Sequence, residues 1–388
     1  MAQASILYSI PYAVLFILFF IIGIKEYLCD FNDKKKYYLY SLILFVSFYG
    51  LRGLIAWDWQ SYKESFELIT PELSIQNIVE SSEILKYEYG YTALIILLKN
   101  FVNSYYSLIF IFVLLDSIFL FAFFKRYSVS LGLSFAFFVL TAGEMELNLL
   151  RNVRAILIFL VSLKYIEERN PIKYFSLIIL ASLFHASSVV FFPLYFILTK
   201  KINKNFLFSF FIIGNVFYLF KIRFLTGFLV GLLDVFGVGS RLLFYIQFYV
   251  AENASEAYTG ISLGYIERFI TTFILIYFYN EFYKSNRISP VILNSYFVYF
   301  FFHFFCTEIP MLVERVANCD FVYPYWIIWP FFITLSKIHL NKYVILLLFL
   351  YSILKISVFY SSPYYKYDNL IWGIHSPVER ENVLNQLR

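Results

Sequence analysis

The sequence predicts an all-α, polytopic membrane protein with about twelve spanning helices, and three observations lead to this fold class. Hydrophobic residues make up 61% of the 388 residues and charged residues 15%, whereas soluble domains are about half apolar and about a quarter charged. Apolar runs that are long enough to cross a bilayer recur along the chain. Lysine and arginine are concentrated in alternate loops between these runs, which is typical of membrane proteins.

The apolar runs differ in length, and the first of them begins near the N-terminus. The first run lacks a basic segment before it and a small-residue cleavage site after it, so we predict a retained span. Two shorter runs, 129–143 and 148–163, flank the acidic stretch "GEME", and the run 174–198 has His185 in its middle. The runs that can cross roughly 30 Å of hydrocarbon are 6–24, 37–55, 105–124, 206–222, 264–281, 290–308, 322–338 and 343–360.

The orientation of these spans follows from the basic clusters, which the positive-inside rule places in the cytoplasm. Clusters lie on both sides of 174–198, so we predict that this run crosses the membrane twice, with His185 at the outer turn. Both termini then lie outside. The clusters are Lys25 with Lys34, Lys35 and Lys36; Lys125 with Arg126; Lys164 with Arg169 and Lys173; Lys200 with Lys201 and Lys204; Lys284 with Arg287; and Lys337 with Lys342.

The whole chain, 1–388, is predicted to be a single integral membrane domain, because no repeat or low-complexity linker divides it. Two long segments, 57–104 and 223–263, are predicted extracytoplasmic or interfacial loops. The second is apolar but interrupted by glycines, which favours interfacial helices or a re-entrant piece. Residues 361–388 are predicted to form an outer, partly interfacial tail.

Arginines accumulate on the predicted outer side, against the positive-inside trend. A cation within the outer leaflet is costly unless it is paired or hydrated, so such positions suggest function. One arginine near a helix end can simply reach the headgroups, but a whole set on one face predicts an anion site, since guanidinium binds phosphate in a bidentate manner. A polyprenyl diphosphate fits, because its tail stays in the lipid. The arginines are Arg52, Arg151, Arg154, Arg223, Arg241, Arg268 and Arg315.

The stretch "GLRGLIAWDWQSY" combines a phosphate-binding and a sugar-binding pattern. Arg52 is followed by Asp58 between Trp57 and Trp59, and Tyr62 lies one helical turn beyond Asp58. Tryptophan pairs often serve as interfacial anchors. Indole rings also stack on sugars, and a carboxylate beside them accepts hydrogen bonds from sugar hydroxyls. We therefore predict a phosphate contact and a sugar contact separated by a short turn.

Two further stretches carry candidate catalytic groups. In "LNLLRNVRA", Arg151 and Arg154 are one turn apart, so both side chains can point the same way; alternatively, Glu144 and Glu146 pair with them. In "ASLFHASSVVFFPLY", His185 is either a hydrogen-bonded structural residue or a general base, since imidazole titrates near neutral pH.

The remaining candidates lie later in the chain. "GSRLLFY" offers Arg241 with Tyr245 four residues on, and "LVERVANCDFVYP" offers Glu314 and Arg315 in a short outer loop. The three cysteines are widely spaced and no Cys/His pattern suits a metal, so we predict neither a metal nor another cofactor. No basic tail or motif suggests a nucleic acid.

Five of these stretches together resemble the EpsG family of polysaccharide polymerases, a branch of the Wzy-type O-antigen and exopolysaccharide polymerases. They are "LRGLIAWDWQSYKESF", "YEYGYTALIILL" with Glu88, "LLRNVRAILIFL", "ASLFHASSVVFFPLYFI" and "VERVANCDF", and they cover most of residues 40 to 325. The sequence departs from the usual pattern in two places. Ala56 and Trp57 precede Asp58 where the family has Gly-Thr, and Asn152 follows Arg151 where glutamine is common.

The resemblance implies a bacterial inner-membrane enzyme, similar to GT-C type glycosyltransferases, whose active site faces the periplasm. It would transfer the growing glycan from undecaprenyl diphosphate to the non-reducing end of a new lipid-linked repeat unit, without a metal. Besides this oligosaccharide and membrane lipids, a chain-length regulator is an expected partner. The alternatives are a flippase or transporter and an O-antigen ligase.

Roles for individual side chains follow from the chemistry of that transfer. Fixed guanidinium groups stabilise the charge that develops on a departing diphosphate, and the acceptor hydroxyl needs a base. We predict His185 as the base, with Asp58 as second choice. The predicted diphosphate contacts are Arg151, Arg154 and Arg241, and the further substrate contacts are Arg52, Trp57, Trp59, Tyr62, Glu88, Tyr245, Glu314 and Arg315.

Overall fold

A computed structural model describes residues 4–30, 33–70, 73–228, 260–285, 288–335 and 341–387. Within these ranges the chain is helical and contains no β-strand beyond isolated bridges, so the predicted all-helical class is confirmed. Contacts divide the chain into two compact units, Met1–Tyr195 together with Tyr325–Arg388, and Phe196–Pro324.

The first unit contains most of the predicted outer segment 57–104 and the C-terminal tail. Its helices are α1 (Ile10–Leu28), α2 (Lys34–Phe45), α3 (Trp59–Glu67), α4 (Ile78–Leu85), α5 (Tyr89–Lys99), α6 (Tyr105–Tyr127), α7 (Leu131–Asn148), α8 (Leu150–Glu167) and α9 (Pro171–Ser182). The short α10 (Leu194–Ile197) reaches the boundary between the units.

The second unit contains α11 (Lys204–Leu219), α12 (Leu263–Tyr277), α13 (Tyr279–Ser285) and α14 (Pro290–Phe305). Aromatic and amide groups connect α11 and α12. The rings of Tyr218 and Tyr265 stack with their centroids 5.1 Å apart, and the Tyr265 hydroxyl donates to Asn215 Oδ1 at 2.7 Å. The chain then returns to the first unit through α15 (Tyr325–Leu335), α16 (Asn341–Phe359) and α17 (Pro377–Leu387).

The core of the first unit is built on the close crossing of α1 and α7. A Cβ atom on Gly23 would lie 2.3 Å from the Leu133 nitrogen, and one on Gly132 would lie 2.6 Å from the Gly23 nitrogen. The backbones therefore touch where each helix has a glycine. Glu26 of α1 then accepts hydrogen bonds from the Leu131 and Gly132 amides, both at 2.8 Å. A carboxylate at a helix N-terminus satisfies amides that have no intrahelical partner, so one helix caps the other.

Within the described residues, two helices are long and apolar enough to cross a membrane by length and composition. They are Ile6–Leu28, which is α1 with the 3-10 turn Ile6–Ser9 before it, and Tyr105–Tyr127, which is α6. Shorter apolar helices of 10–17 residues occur elsewhere in the described ranges. The helices are therefore compatible with a membrane protein, and the count of about twelve spans remains a prediction.

Two helix boundaries can be compared with the predicted spans. The first differs from the prediction and the second agrees with it. The sequence suggested that "GEME" separates two spans, but α7 continues through it to Asn148, because glutamate and methionine favour helix. In the run 174–198, α9 ends at Ser182 and a 3-10 segment, Ala186–Phe191, follows and packs back against it. The predicted break at His185 is present.

Candidate functional site

A cluster of three side chains joins distant parts of the first unit. Glu88 is the N-cap residue of α5, Arg151 lies in the first turn of α8, and His185 precedes the 3-10 segment after α9. The Glu88 carboxylate bridges the other two: Arg151 Nη1 lies 2.5 Å from its Oε2, and His185 Nδ1 lies 3.1 Å from its Oε1. The cluster brings together a cation, an anion and an imidazole that sequence patterns could only place separately.

The charge state of Glu88 determines what the histidine can do. Partial burial acts to raise the pKa of the Glu88 carboxyl, but hydrogen bonds from His185 and the Glu88 backbone, together with the Arg151 charge, lower it to about 2. An ionised carboxylate only accepts hydrogen bonds, so His185 Nδ1 is the donor. In the neutral ring Nε2 then carries the lone pair and can accept a proton.

Tyrosine rings surround the guanidinium of this cluster. The Arg151 guanidinium lies over the Tyr87 ring at 4.7 Å, and the Tyr62 ring is 5.7 Å from that of Tyr87. Tyr62 interacts with Arg151 and with the charge of Asp58. A cavity of about 400 Å³ adjoins the cluster and is lined by Tyr87, Glu88 and Leu183 among others. Charged and aromatic side chains therefore lie together beside a cavity.

The Asp58 segment is held by the end of α7. Asn148 Oδ1 accepts hydrogen bonds from the backbone amides of Trp57 at 3.3 Å and Asp58 at 2.9 Å. Helix α3 starts directly after Asp58, whose carbonyl oxygen accepts from the Tyr62 amide at 3.2 Å. The two residues are thus one helical turn apart, as predicted. The two indoles differ, because Trp57 is 38% exposed and Trp59 is buried.

Arg52 and Arg154 are buried and have internal partners. Arg52 donates to the carbonyl oxygens of Tyr49 at 2.8 Å and Leu147 at 3.1 Å. Arg154 forms an ion pair of 2.7 Å with Asp116. Arg151 and Arg154, one turn apart on α8, therefore contact different carboxylates, and these are Glu88 and Asp116 rather than the alternatives Glu144 and Glu146.

The other predicted site residues lie elsewhere. Glu314 and Arg315 are exposed in a π-helical segment, Leu312–Asp320, of the second unit. Arg241 and Tyr245 lie outside the described residues. Among the described ranges, no group of His, Cys, Asp and Glu side chains is arranged to hold a metal ion.

Two buried carboxylates of the first unit, outside the Glu88 cluster, were not predicted. Asp116 sits inside the apolar run 105–124, and a carboxylate within a span was itself a signal of a buried partner. Asp368 of the tail pairs with Arg380 at 2.8 Å, and its carbonyl oxygen accepts from the Gly53 amide at 3.1 Å. No sequence pattern connects residues so distant, so this contact could not be predicted.

The fold and the cluster together define a helical protein, compatible with a membrane protein, that gathers an arginine, a carboxylate and a histidine beside a cavity. The sequence model of the EpsG family matches residues 35–369, a range that contains all of these side chains. The chain belongs to the EpsG family, a Wzy-like polymerase-type family, which indicates a polysaccharide polymerase-type function. No curated protein and no solved structure matches the chain significantly.

Proposed function

We propose that the protein is a metal-independent polysaccharide polymerase of the bacterial inner membrane. It transfers the growing glycan from undecaprenyl diphosphate to the non-reducing end of a new lipid-linked repeat unit at the periplasmic face. The observation that carries this proposal is the bridge that Glu88 forms between His185 and Arg151. It joins an imidazole and a guanidinium to the same carboxylate, which supports the proposed roles of a base and a fixed cation.

The cluster supplies the two requirements of glycosyl transfer. His185 Nε2 takes the proton of the acceptor hydroxyl, and the hydroxyl oxygen forms a bond to the anomeric carbon of the growing chain. The bond from that carbon to the carrier oxygen breaks, and the lipid diphosphate leaves with the electron pair. Arg151 stabilises the charge that develops on it. Glu88 holds the imidazole in the orientation and tautomer that this step needs.

The arginines differ in how far they are exposed, and this difference indicates which of them can bind a diphosphate. The Arg151 side chain is 25% exposed, whereas Arg52 and Arg154 are 3% and 7% exposed and engaged with internal acceptors. Arg151 can therefore reach a substrate without breaking a buried contact. We assign the diphosphate contact to Arg151 and a supporting role to Arg52 and Arg154. The roles of Arg241 and Arg315 stay as predicted from the sequence.

The Asp58 segment is proposed to bind the acceptor sugar. Trp57 presents an indole face that is partly exposed, and Asp58 follows it directly at the start of α3. Tyr62 links this segment to Arg151. Arg151 in turn shares the Glu88 carboxylate with the proposed base. Trp59, which is buried, supports the helix instead.

The test is the polysaccharide pattern of a strain that lacks the gene. A single repeat on the lipid core supports a polymerase, the loss of all repeats indicates a ligase, and internal accumulation of lipid-linked units indicates a flippase or transporter. Complementation with His185→Ala or Arg151→Ala should leave single repeats. His375→Ala is the matched control, because His375 also contacts a carboxylate, Asp368 at 2.8 Å, but lies outside the cluster; it should restore long chains.

A further inference from the structure

A second cavity lies in the first unit, away from the Glu88 cluster. It has a volume of about 370 Å³ and opens between the C-terminal part of α6 and the facing part of α8, which pack against each other. Its apolar wall includes Ala122, Phe123 and Leu160, and its polar rim carries Lys125, Arg126 and Lys164. The positive-inside rule places both basic stretches at the cytoplasmic surface.

The charges at the rim do not cancel. Arg126 forms a hydrogen-bonded ion pair with Glu167, with Nη2 at 2.8 Å. Within the described residues, neither Lys125 nor Lys164 forms an ion pair with a carboxylate. Each ammonium group instead lies near an aromatic ring, Lys125 at 5.5 Å from Phe121 and Lys164 at 4.7 Å from Tyr165. Arg126 also lies 3.9 Å from Glu168, so these three cations and two carboxylates leave one net positive charge at the rim. The two ammonium groups, which pair with no carboxylate in the described part of the chain, remain for an anionic ligand.

We propose that this cavity binds the headgroup of an anionic phospholipid of the cytoplasmic leaflet. The phosphate would lie between Lys125 and Lys164, and the glycerol and first acyl carbons would contact the apolar wall. A soluble anion would gain nothing from Ala122, Phe123 and Leu160, whereas a lipid uses both the charged rim and this wall. The inference is independent of the proposed polymerase site, because no residue is shared.

The experiment titrates phosphatidylglycerol into the purified full-length protein in a neutral detergent and measures bound lipid by native mass spectrometry. Phosphatidylcholine, which has no net charge, is the comparison lipid. A lysine near an anionic lipid surface contributes roughly fivefold in affinity, so the double variant Lys125→Gln/Lys164→Gln should weaken phosphatidylglycerol binding about 30-fold. Equal binding of the two lipids by the wild-type protein would overturn the proposal.

Two further variants separate a formed site from general surface attraction. Lys34→Gln/Lys35→Gln removes the same charge from α2, also on the predicted cytoplasmic side, and should leave binding unchanged. Ala122→Trp keeps every charge but fills the cavity, and it should weaken phosphatidylglycerol binding. Unchanged binding in Ala122→Trp would show that the cavity is not used, and this result decides the question even if the double lysine variant fails to fold.

Inorganic phosphate distinguishes a lipid from a soluble anion as the source of the phosphate group. If the site recognises a lipid, phosphate at the concentration of the lipid should not displace phosphatidylglycerol. Displacement at that concentration would overturn the assignment to a lipid.

Discussion

Arg151 and Glu88 are 63 residues apart in the sequence, yet their side chains form an ion pair of 2.5 Å. The same carboxylate contacts His185 at 3.1 Å. A carboxylate that binds a cation on one oxygen and an imidazole on the other fixes the position of both. The geometry makes Glu88 a positioning residue for the proposed base and the proposed diphosphate contact.

Replacing Glu88 by glutamine should therefore slow polymerisation while the protein stays folded. The glutamine carbonyl can still accept from His185, but the charge that holds Arg151 is lost. We expect a smaller loss than the roughly 10²- to 10⁴-fold fall for His185→Ala, which removes the base itself. The measurement is the initial rate with purified lipid-linked repeat units, as a function of pH. Glu80→Gln, the same change at an exposed residue of α4, should keep the wild-type rate.

The Glu88→Gln variant should also differ from the wild-type protein in the pH dependence of its rate. If Glu88 acts through the imidazole, Glu88→Gln should change the pH profile of the rate, because a neutral amide replaces the ionised carboxylate that contacts His185 Nδ1. A profile identical to that of the wild-type protein, with a uniformly lower rate, would show that Glu88 has only a structural role.

The low pKa of Glu88 predicts an acid-sensitive component of stability. The folded-state pKa of about 2 lies below the ordinary value of 4.5. Because the folded pKa is depressed, this contribution is fully present above about pH 4.5 and is lost as the pH falls toward 2. Thermal unfolding in detergent should show this loss over that window in the wild-type protein. Glu88→Gln should lack this part of the pH dependence, and equal acid sensitivity of both proteins would contradict the assigned cause.

The contact of the tail with the Arg52 segment leads to a prediction at Gly53. A Cβ atom at this position would lie 2.1 Å from the Asp368 Oδ1 atom, and Asp368 is buried and bound to Arg380, so it cannot easily move. Gly53→Ala should lower the free energy of unfolding by about 1–3 kcal/mol, the usual cost of overpacking. Gly227→Ala is the control, because a Cβ there meets no atom within 4 Å. An equal effect of both changes would show that the tail does not constrain Gly53.

The departure of this chain from the family pattern leads to a prediction at Ala56. Its φ of +69° lies in the left-handed region that glycine adopts readily, and glycine is the residue that the resemblance leads one to expect there. Ala56→Gly should leave stability unchanged or raise it by about 1 kcal/mol, whereas Ala155→Gly, inside α8, should lower it by about 1 kcal/mol. A clear loss of stability in Ala56→Gly, seen by thermal unfolding, would contradict this explanation.

Much of the helical architecture could be predicted from apolar runs, since helix formation depends on local sequence. The break at His185 was predicted because basic clusters on both sides of one run are incompatible with a single crossing. The pairs Arg151–Glu88 and Arg154–Asp116 could not be predicted, because they depend on the packing of α8 against the segments that carry Glu88 and Asp116. Helical spacing showed that both arginines could point the same way, but it could not show which carboxylate each would meet.

Variants of the Arg154–Asp116 ion pair can test whether Arg154 contacts the substrate. Both side chains are buried and lie 2.7 Å apart, so Asp116→Leu leaves a buried cation without its partner and should cost about 3 kcal/mol or more in stability. The double variant Asp116→Leu/Arg154→Leu removes both charges and should recover much of that loss, as measured by chemical or thermal unfolding. If Arg154 only supports the fold, as proposed here, the double variant should also make long chains. A stable double variant that makes only single repeats would show instead that Arg154 contacts the diphosphate, as the sequence alone predicted.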